Sequence, residues 1–186
     1  MREYAFQKSS RPRGRPGPPS PRGEWPEGKG SPWPALIGFV GLSLLVGATA
    51  AGVNAQAIPG WYASLVRPPG VPPNWVFPVV WTILDVMIGT AAWLVWWKAP
   101  QGRRQTAALQ LWGWQLLLNA LWTPAFFGMQ SPGLGLLVIV PLALLIGLTI
   151  EAFLRMNRAA GLLLVPYLCW SCYAAYLNAG FWWLNG

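Results

Sequence analysis

The sequence predicts an all-α integral membrane protein: a bundle of five transmembrane helices behind a disordered basic N-terminal tail. Three observations carry this expectation. Hydrophobic residues make up 54% of the chain and charged residues only 10%, where soluble domains carry about a quarter charged. The apolar residues fall into five runs, each long enough to cross roughly 30 Å of hydrocarbon at about 1.5 Å per residue. The chain also holds 14 tryptophans, far more than its length ordinarily brings. At 186 residues it fits one bundle rather than several domains.

Residues 1–32 are rich in Pro, Gly, Ser and Arg, including the run Arg-Pro-Arg-Gly-Arg-Pro-Gly-Pro-Pro over 11–19. Such a composition buries too little apolar surface to offset the entropy of ordering, which predicts a disordered tail. The tail's charges mainly fix topology; docking to anionic lipid headgroups is the alternative. A cleavable signal needs a short apolar stretch soon after a basic start, and here apolar sequence begins only near Ala35. The first helix is therefore expected to act as its own insertion signal.

The helices are predicted near 34–56, 75–97, 106–127, 132–154 and 159–183. Pro34 suits a first helical turn, and Ile58-Pro59-Gly60 reads as the end of the first span. Lys98, Pro100 and Gly102 separate the second from the third. Ser131-Pro132-Gly133 precedes the fourth, and Asn157 between Arg155 and Arg158 precedes the fifth. A backbone inside lipid must satisfy its own hydrogen bonds, so these runs are helices.

Seven of the thirteen basic residues lie in the tail (Arg2, Lys8, Arg11, Arg13, Arg15, Arg22, Lys29), three between helices 2 and 3 (Lys98, Arg103, Arg104) and two between helices 4 and 5 (Arg155, Arg158). Arg67 alone falls on the opposite side. This bias predicts a cytoplasmic N-terminus, with the C-terminus and the 1–2 loop outside. The net charge of +8 is thus a topology signal, and no nucleic-acid partner is expected.

The absence of His excludes His-based triads and His metal sites. The three lysines are Lys8, Lys29 and Lys98, so no buried Lys nucleophile is expected. Cys169 and Cys172 have CxxC spacing, but a redox pair needs a helix N-terminus and solvent access. Mid-helix in lipid, they read as two small buried hydrophobes. No metal site is predicted.

Depth along the helices is more informative. At 1.5 Å per residue, Trp81 lies about 9 Å and Asp85 about 15 Å down helix 2 from its outer end. On helix 3, Asn119 lies about 12 Å down, with Gln115 a turn deeper; on helix 5, Leu177, Ala174, Tyr173 and Trp170 occupy about 9 to 20 Å. Trp81 and Asp85, Gln115 and Asn119, Trp170 and Ala174, and Tyr173 and Leu177 are each spaced i, i+4 and share a helix face. Polar and aromatic groups of three helices thus converge at one level, and the 1–2 loop with Trp61 and Tyr62 is placed to lid them. Aromatic walls with a few orienting polar groups suit a flat, largely apolar ligand. The plainer reading is helix packing, with Gln115 and Asn119 bonding neighbouring helices. Trp96, Trp97, Trp182 and Trp183, at helix ends, read as interfacial anchors. Asp85 stands out, because an intramembrane carboxylate is costly; it is functional, protonated, or bonded to Asn119 or Gln115. Glu151 sits one turn before Arg155 and pairs with it.

Over residues 34–183 the sequence resembles the TspO/MBR (tryptophan-rich sensory protein/translocator protein) family. The resemblance lies in Trp61-Tyr62 with Leu65 and Arg67-Pro68, in Pro72-Pro73-x-Trp75-Val-Phe77-Pro78 leading to Val80-Trp81-Thr82, and in Gln115-Leu116-x-x-Asn119-x-x-Trp122-Thr-Pro-x-Phe-Phe127. Helix 5 adds Pro166-Tyr167-x-x-Trp170 and Leu177-Asn178. The resemblance implies a homodimer that binds porphyrins, haem among them, and other hydrophobic ligands in a pocket closed by the 1–2 loop, with no cofactor required. It places pocket positions on Trp81, Asn119, Trp122, Trp170 and Ala174. Trp81 and Trp170 match tryptophans associated with porphyrin breakdown in the family. Two features depart from it. Asp85 stands where the family usually has Tyr, and no Lys or Arg follows Tyr167, Tyr173 or Tyr176, so the weak sterol pattern is missing there.

Three functions are open at this level: a membrane receptor, carrier or sensor for tetrapyrroles; a Trp-dependent, photo-oxidative porphyrin-degrading enzyme using Trp81 and Trp170; and a small-solute transporter coupled through Asp85. Without His, haem iron has no imidazole ligand here, so binding would rest on ring stacking and apolar burial. The chain shows no repeat of the kind common in transporters. Gly47/Ala51, Ala48/Gly52 and Ala175/Ala179 offer close helix approach, within a protomer or across a dimer. The charge bias suits a bacterial-type cell membrane, whereas the family resemblance also admits the outer membrane.

Overall fold

The computed structural model describes residues 31–186. The basic tail expected over 1–32 lies outside them, except that Pro32 already opens the first helix. The described residues are all-helical: α1 (Pro32–Ala57), α2 (Val76–Lys98), α3 (Arg103–Thr123), α4 (Pro132–Leu154), α5 (Arg158–Leu163) and α6 (Val165–Asn185). α5 and α6 form one rod, broken at Leu164. Pro166 has no N–H to give the preceding turn and its ring crowds the carbonyl four residues back; Leu164 N–H turns instead to Gly161 O at 3.1 Å. Five rods therefore match the five predicted runs. Four of them, Pro32–Tyr62, Val76–Lys98, Pro132–Leu154 and Arg158–Asn185, are long and apolar enough to cross a membrane. α3 is of comparable length, 21 residues, but Arg103, Arg104, Gln105, Gln110, Gln115 and Asn119 dilute its apolar character.

Two predicted boundaries need correction. Ile58-Pro59-Gly60 does not end the first span: the chain passes through a π-helical turn, Ile58–Tyr62. The third helix does not run evenly to 127 but loosens into a second π turn at Pro124–Gly128. Both turns contain a proline. A wider turn is one way for a helix to continue past a residue that cannot donate its backbone bond. Side chains cap two of the helix starts, Ser131 Oγ accepting from Leu134 N–H at 3.3 Å and Asn157 Oδ1 from Ala160 N–H at 3.1 Å. Gly102, at φ 148°, turns the chain into α3 in a region that suits only glycine.

The core runs along α2 and α4, through Ile88, Ala91, Ala92 and Val95 and through Ile139, Leu142, Ile146 and Phe153. Large apolar side chains such as Ile37, Leu137 and Leu144 point outward instead, as in a bundle solvated by lipid rather than water. α1 and α2 touch backbone to backbone at Gly89, where a Cβ would lie 2.5 Å from Val40 Cα and 2.7 Å from Phe39 O. α2 and α3 are locked antiparallel. Gln105 Nε2 donates to Val95 O at 2.9 Å and Trp96 O at 3.0 Å, and Trp112 Nε1 donates to Ile88 O at 3.2 Å. Continued along the pair, that register sets Asp85 level with Gln115 and Trp81 level with Asn119.

Candidate functional site

Beyond the Gly89 contact α1 parts from the bundle and leaves a cavity of about 600 Å³, within the size range of small-molecule sites. One wall is α1 from Leu44 to Ala55, mostly small residues, continued by Ile58 of the first π turn. Asn74, Phe77, Trp81, Thr82 and Asp85 line it from α2 and the residues before it. Asn119, Trp122 and Thr123 come from α3, Phe126 and Phe127 from the π turn, and Ala174, Leu177, Asn178 and Phe181 from α6.

The aromatic wall is continuous. Trp81 and Trp122 lie 6.4 Å apart by ring centroid, Trp122 and Phe126 5.8 Å, and Phe126 and Phe127 4.7 Å. Tyr62 closes the arc, 5.4 Å from Phe127 and 5.3 Å from Phe181. Trp122 is held by its indole N–H, which donates to Asn178 Oδ1 at 3.2 Å. Asn178 Nδ2 donates in turn to Pro132 O at 2.6 Å. One side chain thereby ties α3, α4 and α6 together at the cavity wall.

The loop after Tyr62 is fastened to α6. Val66 N–H donates to Asn185 Oδ1 at 2.8 Å, and Asn185 Nδ2 to Val66 O at 3.0 Å. The hydroxyls of Tyr173 and Tyr176 donate to Gly70 O (2.5 Å) and Pro69 O (3.2 Å). Pro68 packs where Gly180 has no side chain, and the Arg67 guanidinium lies 5.6 Å from the Tyr62 ring centre.

Of the residues singled out from sequence, Tyr62, Trp81, Asp85, Asn119, Trp122, Ala174 and Leu177 line this one cavity. Four others do not. Trp61 packs edge-on against Phe126 at 5.6 Å. Trp170 is absent from the lining; its ring packs against Phe77 (5.9 Å), which does line the cavity, and against Tyr173 (5.4 Å). Tyr173 is committed to the loop, and Gln115 is buried in the helix interface with neither side-chain polar atom hydrogen-bonded. Gln115 therefore does not bond Asp85, and no hydrogen bond joins Asp85 to Asn119 either; Asp85 Oδ1 is buried without a partner. Asp85 faces α1 at Gly47, where a Cβ would collide with Oδ2.

Elsewhere, Arg155 pairs with Glu151 at 2.5 Å. Cys169 and Cys172 are free thiols on the exposed side of α6 rather than buried as expected, because that face of the helix packs against no neighbour in the bundle. Of the four tryptophans read as anchors, Trp182 and Trp183 are exposed, whereas Trp97 is buried and stacks on Trp96 at 6.0 Å. What sequence reasoning missed is the α1 wall and the π-turn phenylalanines. Gly47, Ala48 and Ala51, noted only as a close-approach stripe, face the cavity together with Asn54. A polar Asn two turns beyond Gly47 on the same helix face was the available signal.

Residues 39–184 match the TspO/MBR family. The chain belongs to that family. It is 45% identical to the tryptophan-rich protein TspO of Chlorobaculum tepidum over 139 residues, covering 75% of this chain and 88% of that one. It is 39% identical to the protein CrtK of Rhodobacter capsulatus, over 74% and 87% of the two chains, and 32% identical to the translocator protein of Ovis aries, over 81% and 90%. Family and apolar helices together make this a multi-pass membrane protein.

Proposed function

We propose that the protein is a membrane receptor or carrier that binds porphyrins and other largely apolar ligands in the cavity between α1, α2, α3 and α6. The observation that carries the reading is the cavity itself: about 600 Å³, walled by Trp81, Trp122, Phe126 and Phe127 and touched by few polar groups. Flat macrocycles gain from such walls through offset stacking and apolar burial. In the bilayer α3 makes a fifth crossing, with Gln105 bonded to α2, Gln115 buried and Arg103 and Arg104 at its N-terminal end. The charge bias orients the N-terminus inward and the C-terminus and loop outward. The family resemblance supports a homodimer.

Titrating protoporphyrin into the protein in lipid nanodiscs, with quenching of Trp emission as the readout, tests the reading. Saturable binding that weakens in a Trp81→Phe/Asn119→Ala variant is expected. Saturable binding of unchanged strength in that variant would remove the cavity as the site.

The degradative alternative is favoured by one observation, the placement of Trp81 in the cavity wall beside Trp122. It rests on Trp81 rather than Trp170, which is absent from the cavity lining. Illuminated protoporphyrin turned over by wild type but not by Trp81→Phe would establish it.

A further inference from the structure

We infer that the cavity is adapted to an apolar ligand bearing a basic nitrogen, and that Asp85 receives that nitrogen at the end remote from the loop. The inference rests on the cavity being the ligand site and narrows what the ligand is.

Four observations meet at this point. Asp85 is only 2% exposed, yet it lines the cavity, and its Oδ1 has no hydrogen-bond donor. An orphaned polar group in an apolar interior costs several kcal/mol unless something supplies the missing bond. Secondly, Asp85 is the single Asp, Glu, Lys or Arg in the cavity lining among the described residues. The one basic residue of the loop, Arg67, is engaged with the Tyr62 ring at the opposite end. Thirdly, α1 offers glycine where it faces the carboxyl: any side chain at Gly47 would collide with Oδ2. The missing side chain thus leaves room for the carboxyl beside α1. Fourthly, Trp81 lies one turn along the same face of α2 and also lines the cavity, so its ring is available to a cation held by Asp85.

A protonated amine supplies what this corner lacks: N–H donors for an unbonded oxygen and a positive charge beside a ring face. A carboxylate brought to the same corner would meet like charge. A porphyrin bearing acidic side chains would therefore bind with those groups turned toward the loop.

The test compares pyrene, 1-pyrenemethylamine and 1-pyrenecarboxylic acid with the full-length protein in phosphatidylcholine nanodiscs, reading energy transfer from Trp. Partition into lipid is common to all variants and cancels between them. We expect the amine to bind wild type roughly ten-fold tighter than pyrene, an effect of the size one charge-assisted bond gives. The advantage disappears in Asp85→Asn, an isosteric change: the ratio of amine to pyrene affinity falls to about one, and the acid binds better than before. Gly47→Ala, which keeps the acid but displaces it, reduces the amine preference several-fold and decides the matter if Asp85→Asn does not fold. Unaltered amine affinity in the folded variants, with pyrene still bound, overturns the role of Asp85 and leaves the cavity reading intact. Failure of all three probes to bind wild type overturns both.

Discussion

α1 and α2 meet in two ways along one interface. At Gly89 the missing side chain lets the two backbones touch, and nothing but backbone and small side chains fits between them. At Gly47 the missing side chain belongs to the other helix and makes room for a carboxyl, and just beyond it the helices part around a cavity. The same residue type serves cohesion at one level and chemistry at the next. A glycine between helices thus says that something comes close; whether that is a backbone or a polar group has to be read from the residue opposite.

That contrast can be broken at its tight end first. Gly89→Val is expected to destabilise the bundle by about 3 kcal/mol, the scale of overpacking against a backbone that cannot yield. Gly113→Val, in open space, is expected to change it by less than about 1 kcal/mol. Thermal unfolding in detergent compares the two. Next, Gln105→Ala removes bonds to the carbonyls of Val95 and Trp96 in α2 and of Ala99 just after it and is expected to cost about 2 kcal/mol by the same assay, since buried carbonyls lose their donor, without altering ligand affinity.

At the open end the expected effects move from stability to binding. Trp81→Ala is expected to raise the dissociation constant for protoporphyrin roughly ten-fold, the loss of one stacking ring. Trp170→Ala is expected to change it by less than about three-fold, under 0.7 kcal/mol. Equal effects would show that Trp170 reaches the ligand despite its place outside the lining. The smallest change is expected for Asn185→Ala, which unfastens the loop at Val66. About 1 kcal/mol of stability is at stake, together with a several-fold faster ligand release in stopped-flow fluorescence.

The five rods were legible because lipid imposes run length and breakers punctuate it. The π turns were not, since Pro59 and Pro124 read equally as helix ends or as places where a helix loosens. In the site, Asp85, Asn119 and Trp81 were legible because polar or aromatic residues at one depth have few uses in a membrane, and Trp122 only through the family resemblance. The α1 wall was hidden: Ala48 and Ala51 look the same whether they face lipid, a neighbouring helix or an empty space. Trp170 was assigned to the pocket because helical spacing fixes its face, but spacing cannot say which ring of another helix packs against it.

The bonds joining α2 to α3 have a consequence for how this chain can change length. Gln105 against Val95 and Trp112 against Ile88 act as the marks of a ruler, and the same graduation carries on to Gln115 opposite Asp85 and Asn119 opposite Trp81. One residue inserted within either helix would turn everything beyond it by about 100° and move it about 1.5 Å, rotating the acid and the cavity-facing ring away together. Insertions and deletions in this hairpin are therefore confined to the turn at residues 99–102. The two helices are held to a common phase, a stricter demand than the thickness of any bilayer.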